Sequence, residues 1–400
     1  DERIHWLQSE IFTQQAEYPQ AALAIERALT ARPHSALYQL AAAHLIGKSG
    51  KYDDAIAATT AVYSRDSLPS LVKARAAKQL GDLIAESPGH DLTKALTYHQ
   101  KAIEIALPLA TNPQRDLRCA AKTILAEAHA AVANDIAQGH WRTKAQAVPQ
   151  WMDRGDALAD EYVQSEGASG KLEFDLLCQR LAAYAWLEGA ADPASHVAQL
   201  EQLSDKLSGD AQDPTFKRHI QWKFGKAMVD AVDVERARGN PQQAIAYGQR
   251  ASEALDSLSE GDWQVERIQF QLSRMHFLLG SIQATQLDDH AAAVQLFDKT
   301  IDQLARPEPD ADLALCARRG EWLVSMGVSY WNVERQDEAL RLTKLGVRFI
   351  EAAESAGVVG KDTLVAPYNN LAFMHKQLGN EANATKYSEM AAKLKDDVQR

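Results

Sequence analysis

Gly379-Asn380-Glu381-Ala382-Asn383-Ala384 places a glycine five residues before an alanine, and the same spacing recurs in Gly50-Lys51-Tyr52-Asp53-Asp54-Ala55 and Gly239-Asn240-Pro241-Gln242-Gln243-Ala244. Seven residues after each alanine stands another mostly small residue: Ala391, Val62 and Ala251. Related turns end in Ala21, Ala95, Ala293 and Ala339, and the same step leads to Ala28, Ala102, Thr300 and Gly346. Two helical turns separate the members of each pair, which puts both on one helix face. A small residue also lies twelve before the alanine in Ser9, Ala43, Gly327 and Ala372. A glycine in the left-handed conformation ends the first helix, a polar turn reverses the chain, and the small residues let the two backbones approach closely. Apolar residues surround the crossing at helical period, as in Leu340, Leu342, Leu345, Val347 and Ile350. The repeated unit is an antiparallel αα-hairpin.

These residues resemble the tetratricopeptide repeat family, whose hairpins carry small residues at the crossings and often a proline at the end. The first unit, about residues 2–35, supplies Ala21, Ala28 and Pro33; the last supplies Tyr368, Leu371, Ala372, Gly379, Ala384 and Ala391. Gly327, Tyr330 and Ala339 form a similarly close match. The step from Ala21 to Ala55 is the family's usual 34 residues, while those between Ala244, Ala293, Ala339 and Ala384 are 49, 46 and 45, which implies longer later helices. From 107 to 213 the signature fades while helical periodicity persists, with prolines such as Pro113, Pro149 and Pro193 near the expected helix starts. The expected fold is an all-α, curved solenoid of eight or nine stacked hairpins spanning 1–400. Its parts are regular repeats over 1–106, degenerate repeats over 107–213 and long-helix repeats over 214–400. Each hairpin buries its apolar face only against the next.

Composition agrees. The 400 residues are 46% hydrophobic, with 21 Gly and 13 Pro spread at intervals, as long helices require. A net charge of -11 repels phosphate backbones, so nucleic acid is not an expected partner. No run approaches eighteen apolar residues, so no membrane span is expected. The chain begins at Asp1 without Met, which leaves the compartment open, since a targeting segment upstream is compatible with it. Cys119, Cys178 and Cys316 lie far apart and read as small buried hydrophobes, not a redox pair or a zinc site.

Catalytic motifs are not found. Gly357-Val358-Val359-Gly360-Lys361-Asp362-Thr363 imitates a phosphate loop, but its glycines are too close and Asp362 stands where Ser or Thr would bind magnesium. The twelve histidines are scattered over different helices without ligand spacing. Asn383-Ala384-Thr385 matches a glycosylation pattern, yet Ala384 is a packing residue. The reading is therefore nonenzymatic, with no cofactor, no metal and no catalytic residue.

The family resemblance implies a protein or peptide held on a concave surface lined by first helices. Its carboxylate-binding Lys and Asn pattern does not transfer to the first repeats, where Trp6, Glu10, Leu40 and His44 occupy the nearest positions. Further along, His219 and Lys226 are seven apart on one first helix, and Arg267 and Arg274 are seven apart on the next. Stacking would make them a basic strip that attracts a partner's acidic groups. Trp331 and Asn332 add an aromatic shelf and an amide. The connection around Trp141 is a second candidate, with the ring folding back on its own helices as the plainer reading. The expected function is a protein-interaction scaffold. Three alternatives stand beside it: a helical receptor for a small molecule or short peptide, the interaction portion of a larger regulatory protein, and an enzyme whose site is assembled from scattered helix residues.

Overall fold

The computed structural model describes residues 2–15, 17–88, 91–139, 141–167, 170–258, 265–306 and 313–399, and every regular element among them is a helix. The chain forms two compact units. Unit 1 comprises Asp1–Ser87, Asp91–Arg238 and Glu253–Leu258. Its hairpins are α1 (Glu2–Gln14) with α2 (Tyr18–Ala31), α3 (Ala36–Lys48) with α4 (Tyr52–Tyr63), and α5 (Ser70–Glu86) with α6 (Leu92–Ala106). They continue as α7 (Arg115–Gln138) with α8 (Lys144–Glu166) and α9 (Lys171–Tyr184) with α10 (Ala194–Asp210), followed by α11 (Pro214–Arg238). Successive first helices α1, α3, α5, α7, α9 and α11 pack side by side. The faded region therefore continues the hairpins within unit 1, where Leu176, Ala183 and Tyr184 join Ala126, Ala130 and Met152 in one core. The long-helix sector expected from 214 onward begins inside this unit, with α11.

Unit 2 comprises Pro88–His90, Gly239–Ser252 and Ser259–Arg400. It takes up most of α12 (Pro241–Asp256), then α13 (Val265–Gln286), α14 (His290–Phe297) and the short α15 (Ile301–Leu304). Two more hairpins follow, α16 (Leu313–Asn332) with α17 (Gln336–Ser355) and α18 (Val365–Gln377) with α19 (Glu381–Gln399).

Small residues sit where the spacing puts them. Ala21, Ala28, Ala55, Ala95, Ala102, Ala244, Ala251, Ala293 and Ala339 are completely buried, and Ala384 and Ala391 are nearly so. The α16/α17 pair shows the physics most clearly: a Cβ added to Gly320 would lie 2.6 Å from the Gly346 carbonyl oxygen, and one added to Gly327 would lie 3.0 Å from that of Ala339. The two helices touch backbone to backbone at sites seven residues apart on each. Gly50, Gly239 and Gly379 all adopt positive φ, at 85°, 76° and 72°. Asp288 and Glu334, five residues before Ala293 and Ala339, adopt the same left-handed backbone without being glycine, at 53° and 63°.

Three sequence expectations need correction. The second helix after α13 is broken, because Thr300, at the small-residue position, donates its hydroxyl to the Ser273 carbonyl at 3.0 Å while buried Arg319 donates to the Gln303 carbonyl at 2.7 Å near the end of α15. Pro149 lies inside α8, at its sixth residue, beyond the first turn where a missing N–H is harmless, so it leaves the Ala145 carbonyl without its helical N–H partner. The three cysteines are half-buried, not fully enclosed. Trp141 does fold back on its own hairpin, lying where a side chain on Gly139 would be.

Unit 1 also closes on itself. The Gln15 side-chain amide at the end of α1 donates to the Asp213 carboxylate before α11, across 198 residues of sequence. Beside this seam Ile11, Leu207 and Phe216 line a cavity of about 380 Å³.

Candidate functional site

The first helices of unit 1 carry titratable residues at steps of three and four, which aligns them on one face of each helix. These are His44 and Lys48 on α3, Arg75, Lys78 and Asp82 on α5, Glu127 on α7, Lys171 and Asp175 on α9, and His219, Lys223, Lys226 and Asp230 on α11. The stack joins them across helices. Lys78 Nζ lies 3.0 Å from Asp82 and 3.5 Å from Glu127, and Lys223 Nζ lies 2.8 Å from Asp175, which also receives Lys171 at 2.6 Å. Glu127 in turn adds to the field at Lys223. The result is a row of alternating charge, Asp82, Lys78, Glu127, Lys223, Asp175, Lys171, running over α5, α7, α11 and α9. Lys48 pairs with Glu86 at 2.9 Å beside it.

The row is enclosed yet wet. Lys78, Lys171 and Lys223 keep 24%, 28% and 30% of their side-chain surface in water, enough for a ligand to reach them. Burial opposes the charge on Lys78 and on Lys223, but facing carboxylates outweigh it and hold both above the ordinary lysine range. Burial likewise opposes ionisation of Asp175, and Lys223 and Lys171 reverse it, holding the carboxyl low. At the histidines the carboxylates, Asp82 for His44 and Asp175 for His219, compensate too little. Burial, reinforced by Lys48, brings His44 down to about 4, and burial with Lys223 does the same for His219, so both are neutral at pH 7. Cys178, on the same helix as Asp175, is pushed up to about 12 by burial and then by that carboxylate, and its thiol stays protonated. This surface offers paired charge and neutral imidazole, the means of recognition by exchange of ion pairs.

A buried histidine braces the row from behind. His99 on α6 bridges two carboxylates, Nδ1 donating to Asp135 at 2.7 Å and Nε2 to Asp82 at 3.2 Å. Burial opposes its protonation, but hydrogen bonds to Asp135 and Asp82 outweigh it and raise the imidazole to about 9. Gly81 makes the space, since a Cβ there would come within 2.8 Å of the ring.

Two of the residues expected from sequence lie beside this row. His219 and Lys226 share the face of α11 that meets α9, with Lys226 held by Asp230 at 3.0 Å. The members between and across from them, Lys223, Asp175 and Lys171, were not singled out; the pairs Lys171/Asp175 and Lys78/Asp82, four apart, were the available signal. His219 and Lys226 belong to unit 1 and Arg267 and Arg274 to unit 2. On α13 Arg267 is exposed, whereas Arg274 is only 8% exposed within the buried run Gln271–Met275, so this pair is not an exposed strip along its length. The reason is that the middle of α13 is covered on all sides.

In unit 2, Trp331 is half-buried and packs edge-on against Phe373 of α18, with ring centroids 6.0 Å apart. Phe373 is 53% exposed and Val328 38%, so the two first helices α16 and α18 present an aromatic shelf. Asn332 spends one amide N–H on its own helix, donating to the Val328 carbonyl at 2.9 Å. Phe373 is the member that sequence reasoning missed.

No protein-family model matches the chain, and no curated protein matches it either. Among solved structures it is similar to the Cut9-Hcn1 hetero-tetramer of the APC/C at 13% identity, covering 98% of this chain and 87% of that one with a TM-score of 0.23. It is also similar to a monomeric IFIT1 mutant with Gppp-AAAA, at 13% identity, 98% and 90% coverage and a TM-score of 0.33. Yeast Tom70 gives 11% identity, 99% and 96% coverage and a TM-score of 0.21. Likenesses this distant assign no activity. The architecture, stacked tetratricopeptide-like helical hairpins, stands on the chain's own crossings and left-handed turns. No described helix is long and apolar enough to cross a membrane.

Proposed function

We propose that this chain is a nonenzymatic protein-interaction scaffold that receives a protein or peptide bearing acidic groups on the faces of its first helices. The observation that carries the reading is the wet, alternating row of charges over α5, α7, α9 and α11 in unit 1. Every cation in it already has a carboxylate, so an acidic partner gains by exchanging with Asp175 or Glu127 and not by filling an empty site. Such exchange favours specificity over raw affinity. His219 and Lys226 extend the row on α11, and Arg267, Trp331 and Asn332 offer unit 2 a face of its own, with Arg274 supporting α13 from within.

The test is an array of peptides of matched length carrying acidic, basic or mixed sequences, probed with the intact chain and with Lys223→Glu and Lys226→Glu variants. Binding of acidic peptides that weakens at least tenfold in the variants, and weakens with added salt, supports the reading. Equal binding of all classes, or tighter binding of an RNA oligonucleotide included as a control, would overturn it.

A further inference from the structure

Away from the charged row, α2 and α3 of unit 1 enclose an apolar groove of about 560 Å³. Its floor is Ile25 and Leu45, both buried, and its walls include Ala22, Leu29 and Ile46. From Tyr18 to Leu29 it follows α2 for roughly 16 Å, three helical turns. The floor and these walls offer carbon alone. At one end stand Lys48, Ser49 and, close enough to act on the Lys48 charge, Tyr18. Lys48 gives two of its three N–H bonds to Glu86, at 2.9 and 3.1 Å, so its charge is already met. Ser49 donates to the Ile46 carbonyl at 2.7 Å, which leaves its oxygen as an acceptor. Glu26 and Thr30 stand exposed on the outer rim.

We propose that this groove binds a small amphiphile, an unbranched apolar chain with an uncharged hydrogen-bonding head seated at Lys48 and Ser49. Three features select this class. A groove of this volume is in the range of small-molecule sites, which are mostly apolar with a few convergent polar groups. Apart from Glu26 and Thr30 on the exposed rim, the polar side chains gather at one end, so a ligand with polar atoms along its buried length would leave them unpaired. The head faces an ion pair that is already neutral, Lys48 with Glu86. An anionic head has to compete with Glu86 for Lys48, and a cationic head meets the Lys48 charge itself. The proposal is independent of the peptide-binding reading, since the groove shares only Lys48 with the neighbourhood of the charged row.

The experiment uses the intact chain and three probes, 1-decanol, decanoate and decylammonium, followed by isothermal titration and by NMR of the probe below its self-association concentration. Decanol should bind saturably at one site, with the two charged probes at least tenfold weaker. Ala22→Trp, at an exposed position on the wall, should weaken decanol at least tenfold; Thr30→Trp, also exposed, should weaken it with the fold equally undisturbed by circular dichroism. Loss of decanol binding in either folded variant supports the site. Non-saturable uptake, unchanged binding in both variants, or preference for a charged head overturns the proposal. So does a wild-type dimer in sedimentation that Ala22→Trp disperses, because a second copy would then fill the groove.

Discussion

Glu334 is the place where the fold accepts a conformation that its residue type resists. It holds φ 63° in the turn between α16 and α17, five residues before Ala339, where the equivalent turns before Ala55, Ala244 and Ala384 use glycine. Its N–H reaches the Trp331 carbonyl at 3.1 Å and the following N–H of Arg335 reaches Tyr330 at 2.9 Å, the pair of bonds that closes a left-handed helix end. A side chain in this conformation costs roughly 1–2 kcal/mol. Replacing it with glycine removes that cost but gives the unfolded chain more freedom, worth about 0.4–1 kcal/mol in the other direction. Glu334 is exposed, so little packing is lost. Glu334→Gly should therefore stabilise by about 0.5–1 kcal/mol, a rise of roughly 1–4 °C for a unit of this size. Gly379→Ala, at φ 72°, is the reciprocal control and should destabilise by at least about 1 kcal/mol. Calorimetry and urea titration of both variants provide the check. If Glu334→Gly lowers the midpoint while Gly379→Ala leaves it unmoved, the left-handed turn is not what sets the energy of these hairpins.

Ala244→Leu, Ala339→Leu and Ala384→Leu should each cost roughly 1–3 kcal/mol by overpacking a helix crossing, and unchanged urea midpoints in all three would remove the crossing argument. Arg267→Glu should leave the melting temperature nearly unchanged, whereas buried Arg274→Glu should cost about 3 kcal/mol or more; equal effects would contradict their different depth. His99 binds its proton more tightly folded than unfolded. Its contribution is therefore full below about pH 6.5 and lost as pH rises through about 9, and His99→Gln should flatten that alkaline decline in stability. Cys178 should resist iodoacetamide in the native chain at pH 8 and react only on unfolding, measured by mass spectrometry of its peptide.

The hairpins were legible because their information is local. A glycine, an alanine five residues on and a small residue seven beyond are enough to define a turn and a crossing, and all of these lie within one unit of sequence. Where another residue does glycine's work, the signal thins: Asp288 and Glu334 adopt the left-handed turn from positions that composition does not mark. The break after α14 was hidden for a different reason. Thr300 keeps the small-residue spacing, but its hydroxyl reaches the Ser273 carbonyl, and whether a threonine packs or bonds at a crossing depends on the carbonyl opposite.

The charged row was harder to see because its members are neighbours only after the hairpins stack. Lys78 and Asp82, or Lys171 and Asp175, look like any solvated pair on a helix, and such pairs contribute little when exposed. Their chemistry changes when α7 brings Glu127 against Lys78 and α11 brings Lys223 against Asp175. The seven-residue rule found His219 and Lys226 because both lie on α11, and it could not find Lys171, which reaches the same place from α9. It also ranked Arg274 beside Arg267, since periodicity fixes direction around a helix and not depth beneath its neighbours. What the stack adds is therefore the cross-helix partner, Glu127 for Lys78 and Asp175 for Lys223. A lysine that reads in sequence as an open charge for an acidic partner is, in the fold, already held by a carboxylate, and a partner must compete with that carboxylate to bind.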